Sequence, residues 1–408
     1  MKKIDLLIKN GFVLDFSTKG SEFLPQDVVI DNGKIVHIGT SDDFLAEKII
    51  RSTDKIVMPG FVNTHTHIPM SYFKGLADDL PLKEWLEKHI WPVETKFISP
   101  EFVYDAALFG CAELIKNGIT TFNDMYFHEE KTAEAAKKIG IRAVIGEGIT
   151  EFPVANHSGA DDTLKYIRDL HQQYKNDNLI DIAVAPHAIY TCNKESLIKA
   201  KNLALELDIN VHLHLSETEF EVKESLKKFG KRPVNYLDDF DFFQANVIAA
   251  HSLWLDKSEQ EIFAKNNVSA AINASSNFKL ASGINSFEPY LASGINLSIG
   301  TDSVSSNNNL SILSEINIIS KVQKALAQNP AFLPAKQMIQ MATINGAKAL
   351  NKVNEIGSIE IGKKADIITV DINNFEAQPI YNIYSQLVYS LTSEQIKDVI
   401  IDGNIVMN

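Results

Sequence analysis

Only two cysteines, Cys111 and Cys192, occur in 408 residues. Such usage builds no disulfide framework and points to a reducing compartment. No apolar run reaches the roughly 18 residues needed to span a bilayer. The start, Met1-Lys2-Lys3-Ile4-Asp5, lacks the apolar stretch of a secretory signal. Positive charge is also short: 39 Lys and Arg against 52 Asp and Glu leave a net charge of −13. That balance argues against nucleic acid or an anionic membrane as partner, because both require basic patches. Repeats and low-complexity segments are missing as well. These absences predict a soluble cytoplasmic globular protein.

What is present has two rhythms. Short alternating segments at 5–13, 27–38 and 55–58 are punctuated by Asn10-Gly11 and Asn32-Gly33, which predict turns of an antiparallel sheet. From about 57 to 302, apolar strands alternate with helical stretches such as 132–139 and 163–174. The strands fall at 56–63, 120–124, 142–148, 181–186, 210–215, 247–250, 268–273 and 296–300. Intervening helices supply the crossovers that parallel pairing needs. Beyond helices near 310–326 and 335–350, strand character returns at 357–362, 367–371 and 399–406. The spacing predicts an α/β protein: a (β/α)8 TIM barrel over 58–351, with a small β-sandwich domain composed of 1–57 and 352–408.

Chemistry concentrates at the ends of the predicted barrel strands. In Met58-Pro59-Gly60-Phe61-Val62-Asn63-Thr64-His65-Thr66-His67 an apolar run ends in histidines spaced i, i+2. On a strand that spacing puts both imidazoles on one face, half of a metal site. Downstream, Val211-His212-Leu213-His214-Leu215-Ser216-Glu217 brings His214 and, three residues on, a carboxylate. Val247-Ile248-Ala249-Ala250-His251 closes on a histidine, and Asn296-Leu297-Ser298-Ile299-Gly300-Thr301-Asp302 on an aspartate. A parallel barrel gathers such strand ends around one mouth.

His65-Thr66-His67, His214-Leu215-Ser216-Glu217, His251 and Thr301-Asp302 together resemble the amidohydrolase superfamily, as does Gly362-Lys363-Lys364-Ala365-Asp366-Ile367 near the C-terminus. More narrowly, 59–67, Gly75-Leu76-Ala77-Asp78-Asp79-Leu80-Pro81-Leu82, Trp91-Pro92-Val93-Glu94 and Asp124-Met125-Tyr126-Phe127 resemble the 5-methylthioadenosine/S-adenosylhomocysteine deaminases. The resemblance implies that Glu94 grips the ribose hydroxyls and that His187 contacts the purine edge. It also implies that an S-adenosylhomocysteine-accepting relative carries an arginine where this chain has Glu147, in Arg142-Ala143-Val144-Ile145-Gly146-Glu147-Gly148. A carboxylate there would repel the homocysteine carboxylate. Two-metal members use a carboxylated lysine at the end of the fourth barrel strand, whereas Asp181-Ile182-Ala183-Val184-Ala185-Pro186-His187 has none. One metal is therefore expected. Self-association into a homo-oligomer stays open on the same resemblance.

The residues themselves suggest roles. His65, His67, His214 and Asp302 offer three neutral nitrogens and a carboxylate to one divalent ion, zinc before iron(II). Glu217 can protonate the ring nitrogen of an aminopurine, Asp302 can take the proton of water, and His251 can hydrogen-bond the attacking oxygen. The expected reaction converts a 5′-modified adenosine to its inosine derivative plus ammonia. Aminodeoxyfutalosine, guanine, cytosine or a triazine is the alternative substrate. A metal-free binding scaffold is a third possibility, against which the complete ligand set counts. Histidines are more often structural than catalytic, and His212 is read as a packed barrel residue. His128 and Glu129 are read as a solvated loop near the mouth, and Ser306 as either a substrate contact or a turn-forming serine.

Overall fold

The structure, a computed structural model, describes residues 1–14, 16 and 24–408. Residues 15 and 17–23 of the predicted N-terminal module lie outside the described residues. The chain begins with β1 (Lys2–Val13), β2 (Pro25–Asp31), β3 (Lys34–Gly39), β4 (Phe44–Arg51) and β5 (Lys55–Pro59). The barrel strands follow: β6 (Phe61–Thr66), β7 (Ile119–Tyr126), β8 (Arg142–Ile149), β9 (Ile180–Pro186), β10 (Val211–Leu215), β11 (Val247–His251), β12 (Ser269–Ile272) and β13 (Asn296–Ile299). The chain closes with β14 (Ile367–Asp371), β15 (Ile396–Ile401) and β16 (Asn404–Met407).

Strands β6 to β13 pair in sequence order, each parallel to the next. Polar contacts close the seam between β13 and β6. Thr64 Oγ1 donates to Ile299 O at 2.9 Å, and Asn63 Nδ2 donates to Thr301 Oγ1 at 2.7 Å. Beyond β13 the Asp302 amide donates to His65 O at 2.9 Å, which fixes the register of these two strand ends. Gly300 permits this approach, since a Cβ there would lie 2.8 Å from His65 Cβ. Inside, Val62, Val144, Ala183, Ile248 and Ala271 form an apolar plug continued by Ala347 and Leu350 below the strand starts. One end of the barrel is thus sealed, and the C-terminal ends of the strands are left for the site.

Both ends of the chain build one eight-stranded sheet, ordered β16-β15-β14-β5-β1-β2-β3 with β4 on β1. Leu6, Ile8, Val28, Ile30, Val57, Ile367 and Ile400 share its core, so neither end buries its apolar face alone. The sheet is mixed rather than purely antiparallel, because β1 runs parallel to β4 and β5. Three predictions are corrected, the first being the strand expected at 357–362, which is a run of bends and turns. The stretch 56–63 is two strands, β5 in the sheet and β6 in the barrel, divided at Gly60. A Cβ on Gly60 would lie 2.1 Å from Thr120 Cγ2, so only glycine passes between the layers. Asn10-Gly11 is no turn: it lies within β1, where Asn10 (φ 61°) produces a bulge in the pairing with β2. Asn32-Gly33 does form the β2–β3 turn, with φ of 51° and 75°.

Arg142, fully buried at the start of β8, joins the two units through Asp366, with Nε–Oδ2 at 2.8 Å and Nη2–Oδ1 at 3.1 Å. Among the described residues no helix is long and apolar enough to cross a membrane.

Candidate active site

Five side chains converge at the barrel mouth. His65 Nε2 and His67 Nε2 lie 3.4 and 3.3 Å from Asp302 Oδ1, and His214 Nε2 lies 3.3 Å from His67 Nε2. His251 completes the group, its ligand atom falling within 4.8 Å of those of His65 and His214. Strand periodicity explains most of this: on β10, His212 and His214 face inward while Val211, Leu213 and Leu215 pack outward against the helices. His251 is the exception. It follows Val247 and Ala249, so simple alternation would point it outward. A left-handed conformation (φ 69°) swings it into the mouth instead. Ser216 (φ 52°) and Asp302 (φ 60°) are left-handed too, so backbone strain collects at the strand ends that carry the site.

Each histidine is held from behind. The Nδ1–H groups of His67 and His214 donate to the carbonyls of Met125 (2.5 Å) and His187 (2.9 Å). His251 Nδ1–H donates to Asn277 Oδ1 at 2.8 Å, and His65 Nδ1 lies 2.8 Å from His212 Nε2. Tying up Nδ1 fixes the ring orientations and leaves Nε2 for the centre. His212 is therefore buried in the barrel as expected, and in addition orients His65. Asp302 is fixed by the hydroxyl of Ser276, which donates to Oδ2 at 2.6 Å, and by the Ser303 amide, which donates to Oδ1 at 2.7 Å.

The donor set fits a metal ion. His65 Nε2 is fully buried with no hydrogen-bond partner. Separations of 3.3–3.4 Å are those that donors about 2.1 Å from a tetrahedral ion would have, near 3.4 Å. Burial lowers the His65 pKa to about 3 and that of His214 well below the ordinary imidazole value. Neutral imidazoles are the form a cation needs. At His67 burial also works downward, but the hydrogen bond and charge of Asp302 outweigh it and raise the pKa. Asp302 sits well below the carboxylate range despite burial, because His65 and His67 stabilise its charge. Together these residues form a histidine-rich metal site.

A cavity of about 490 Å³ opens onto the cluster. Glu217, His187, Glu94 and Ser306 all line it. Glu217 is 6 % exposed, with Oε2 3.7 Å from His251 Nε2 and Oε1 accepting from Ser282 Oγ at 3.1 Å. Burial raises its pKa. Burial likewise lifts Glu94 to about 7, against the opposing hydrogen bond that Tyr126 Oη donates to Oε1 at 2.7 Å. His187, held through Nδ1 by Thr191 Oγ1 at 3.0 Å, is lowered by burial to about 4. Ser306 Oγ lies 2.8 Å from Ser276 Oγ, whose hydrogen goes to Asp302, so Ser276 links the two.

Two expectations are corrected. Glu147 does not line the cavity. It shares its face of β8 with Ala143, Ile145 and Ile149, which pack against the helices, whereas the next residue, Gly148, lines the mouth. Its oxygens accept from the amides of His128 (3.2 Å) and Glu129 (2.9 Å) and from Asn156 Nδ2 (2.8 Å), so it caps the helix Glu129–Ile139. Glu129 is not in a solvated loop either: it is the first residue of that helix and is fully buried. Sequence reasoning missed Asn277, Thr191 and Tyr126. Asn277 and Thr191 had no signal beyond proximity to the predicted strand ends, whereas Tyr126 lies in a motif already quoted.

Residues 56–406 match the model of the amidohydrolase family. A 5-methylthioadenosine/S-adenosylhomocysteine deaminase of Thermodesulfovibrio yellowstonii is 45 % identical, covering 98 % of this chain and 93 % of the relative. A 5′-deoxyadenosine deaminase of Methanosarcina acetivorans is 40 % identical over 99 % of this chain and 93 % of its own length. Among solved structures, a zinc-bound adenosine deaminase from Xanthomonas campestris superposes with a TM-score of 0.96 at 39 % identity, covering 99 % and 93 % of the two chains.

Proposed function

The chain belongs to the amidohydrolase family, and from that premise we propose that it is a metal-dependent hydrolytic deaminase of 5′-modified adenosines. The relatives named for 5-methylthioadenosine, S-adenosylhomocysteine, 5′-deoxyadenosine and adenosine support the substrate class. In this reading His65, His67, His214 and Asp302 hold one divalent ion, zinc before iron(II). When bound, such an ion makes hydroxide available at neutral pH.

The chain's own groups then manage protons and position. Hydrolysis forms a C6–O bond, breaks the C6–N bond and moves two protons. Glu217, kept protonated more readily by burial, delivers a proton to ring N1 so that no charge builds up on the purine, and recovers one from the added oxygen as the C6 carbonyl forms. Asp302, fully ionised, accepts the proton of the attacking water and returns it to the departing amine. His251, with Nδ1–H committed to Asn277, presents Nε2 to the oxygen being added. Glu94 binds the ribose hydroxyls and His187 the purine edge, with Ser306 within reach of the substrate. The observation that carries the proposal is a buried acid, Glu217, beside both the histidine cluster and a nucleoside-sized cavity.

The test is an inosine-forming absorbance assay on protein of known metal content, with guanine as control. Conversion of adenosine derivatives at about one metal per chain is expected. Inert adenosine derivatives with metal present, or a preference for guanine, would overturn the proposal.

A further inference from the structure

We infer that this site selects nucleosides whose 5′ substituent is small, apolar and uncharged, and rejects tails that end in a carboxylate. The inference rests on the deaminase reading and concerns another part of the same cavity. At the floor, the cluster side chains are buried, His65 at 0 % and His251 at 1 % exposed. At the rim, Trp91 and Phe152 face each other with ring centroids 6.3 Å apart, and they are 36 % and 45 % exposed. Trp85 and Leu86 on one side and Pro153 and Val154 on the other continue the apolar lining.

Among the described residues no Lys or Arg lines this cavity. Neighbouring lysines lie outside the lining, and those of the 82–97 segment make their contacts along it. Lys88 pairs with Glu84 at 3.1 Å, Lys83 with Glu87 at 3.9 Å, and Lys96 sits 4.8 Å over the Phe97 ring. Lys279 is tied to Asp78 at 2.6 Å and Asn308 at 2.9 Å. The ionisable groups that do line the space are the acids Glu94, Glu217 and Asp302, the histidines, and Tyr126 and Tyr190. Beside such walls a methyl or methylthio group gains by leaving water. A homocysteine carboxylate would shed water with no cation to replace it, which is costly. Its ammonium could approach Glu94 while the carboxylate remained unpartnered. The discrimination expected from Glu147 thus arises from other residues, through a missing cation rather than a repelling anion.

Steady-state kinetics of the metal-replete protein on 5-methylthioadenosine, 5′-deoxyadenosine, adenosine and S-adenosylhomocysteine test this. The first two should exceed the last in kcat/KM by at least about tenfold, mainly through KM. Phe152→Arg should raise the ratio of S-adenosylhomocysteine to methylthioadenosine turnover by supplying the missing cation. Wild-type protein that uses S-adenosylhomocysteine as well as methylthioadenosine would overturn the inference alone, and would point to a cation brought by a second copy of the chain. An unchanged ratio in a Phe152→Arg variant that still deaminates adenosine would overturn it too. Failure on all four nucleosides would instead sink the deaminase reading, and this inference with it.

Discussion

Two buried polar clusters, built on neighbouring parts of the barrel, solve burial in opposite ways. In the histidine cluster every Nδ1 is bonded away from the centre, so the Nε2 atoms and Asp302 face one another across 3.3–3.4 Å. In the other cluster Asp124, Glu129 and Glu147 are all fully buried; among the described residues no Lys or Arg pairs with them, and the one basic side chain beside them is His157, with Nε2 3.2 Å from Glu147 Oε1. Glu147 is satisfied by helix amides and Asn156. Glu129 has no donor against either oxygen and can bond Asp124 only if one of the two is protonated. Burial accordingly raises Asp124 to about 6 and Glu129 well above the ordinary range. Glu129, a buried acid with no donor, settles by keeping a proton. A group built to hold a cation keeps its lone pairs converging instead.

The comparison breaks most sharply at Asp302. Asp302→Ala should release the metal and lower turnover on the order of 10⁴-fold, read by elemental analysis and the absorbance assay. A variant that keeps both metal and rate would show that the cluster is not a cation site. Glu217→Gln should separate chemistry from metal holding. It should retain the ion yet lose about 10²- to 10⁴-fold in kcat, and metal loss or near-normal activity would contradict the proton-delivery role. Asn277→Ala frees only the back of His251. A loss of about 10- to 100-fold with metal retained is expected, whereas no change would show that the left-handed backbone alone holds the ring.

The residues that converge at the barrel mouth were legible because i, i+2 spacing on an apolar strand fixes both the face and the end of the barrel, as with His65 and His67. His251 was legible from its place at a strand end, although its orientation comes from a backbone twist that no pattern announces. Glu147 was misread for a related reason. Its strand was correct, but a fully buried strand shows no polar alternation, so the face of one residue must be counted from neighbours such as Gly148. Glu129 was misread because two successive acids after a strand look like a solvated turn. They open a helix, and the first of them is fully buried. Asn10-Gly11 shows the same limit in the sheet, where left-handed backbone serves a bulge as readily as a turn.

The smallest expected effect tests the carboxylate cluster by pH. An acid whose folded pKa is raised binds its proton more tightly in the folded state. Unfolded Glu129 releases its proton near 4.5, while the folded group holds it to well above that. Over the interval the folded state carries more protons, so stability falls as pH rises, by up to about 1.4 kcal/mol per pH unit for one group. The contribution is fully present below the unfolded value and is lost upward through the folded one. Glu129→Gln removes that titration and gives Asp124 an amide donor, so the ionised aspartate no longer depends on a shared proton. Denaturant unfolding from about pH 5 to about pH 8 should therefore be flatter in the variant than in the wild type, with the variant gaining at the alkaline end. Parallel curves would mean that Glu129 is ionised and paired in the folded protein. The two clusters would then differ in their partners rather than in their protons.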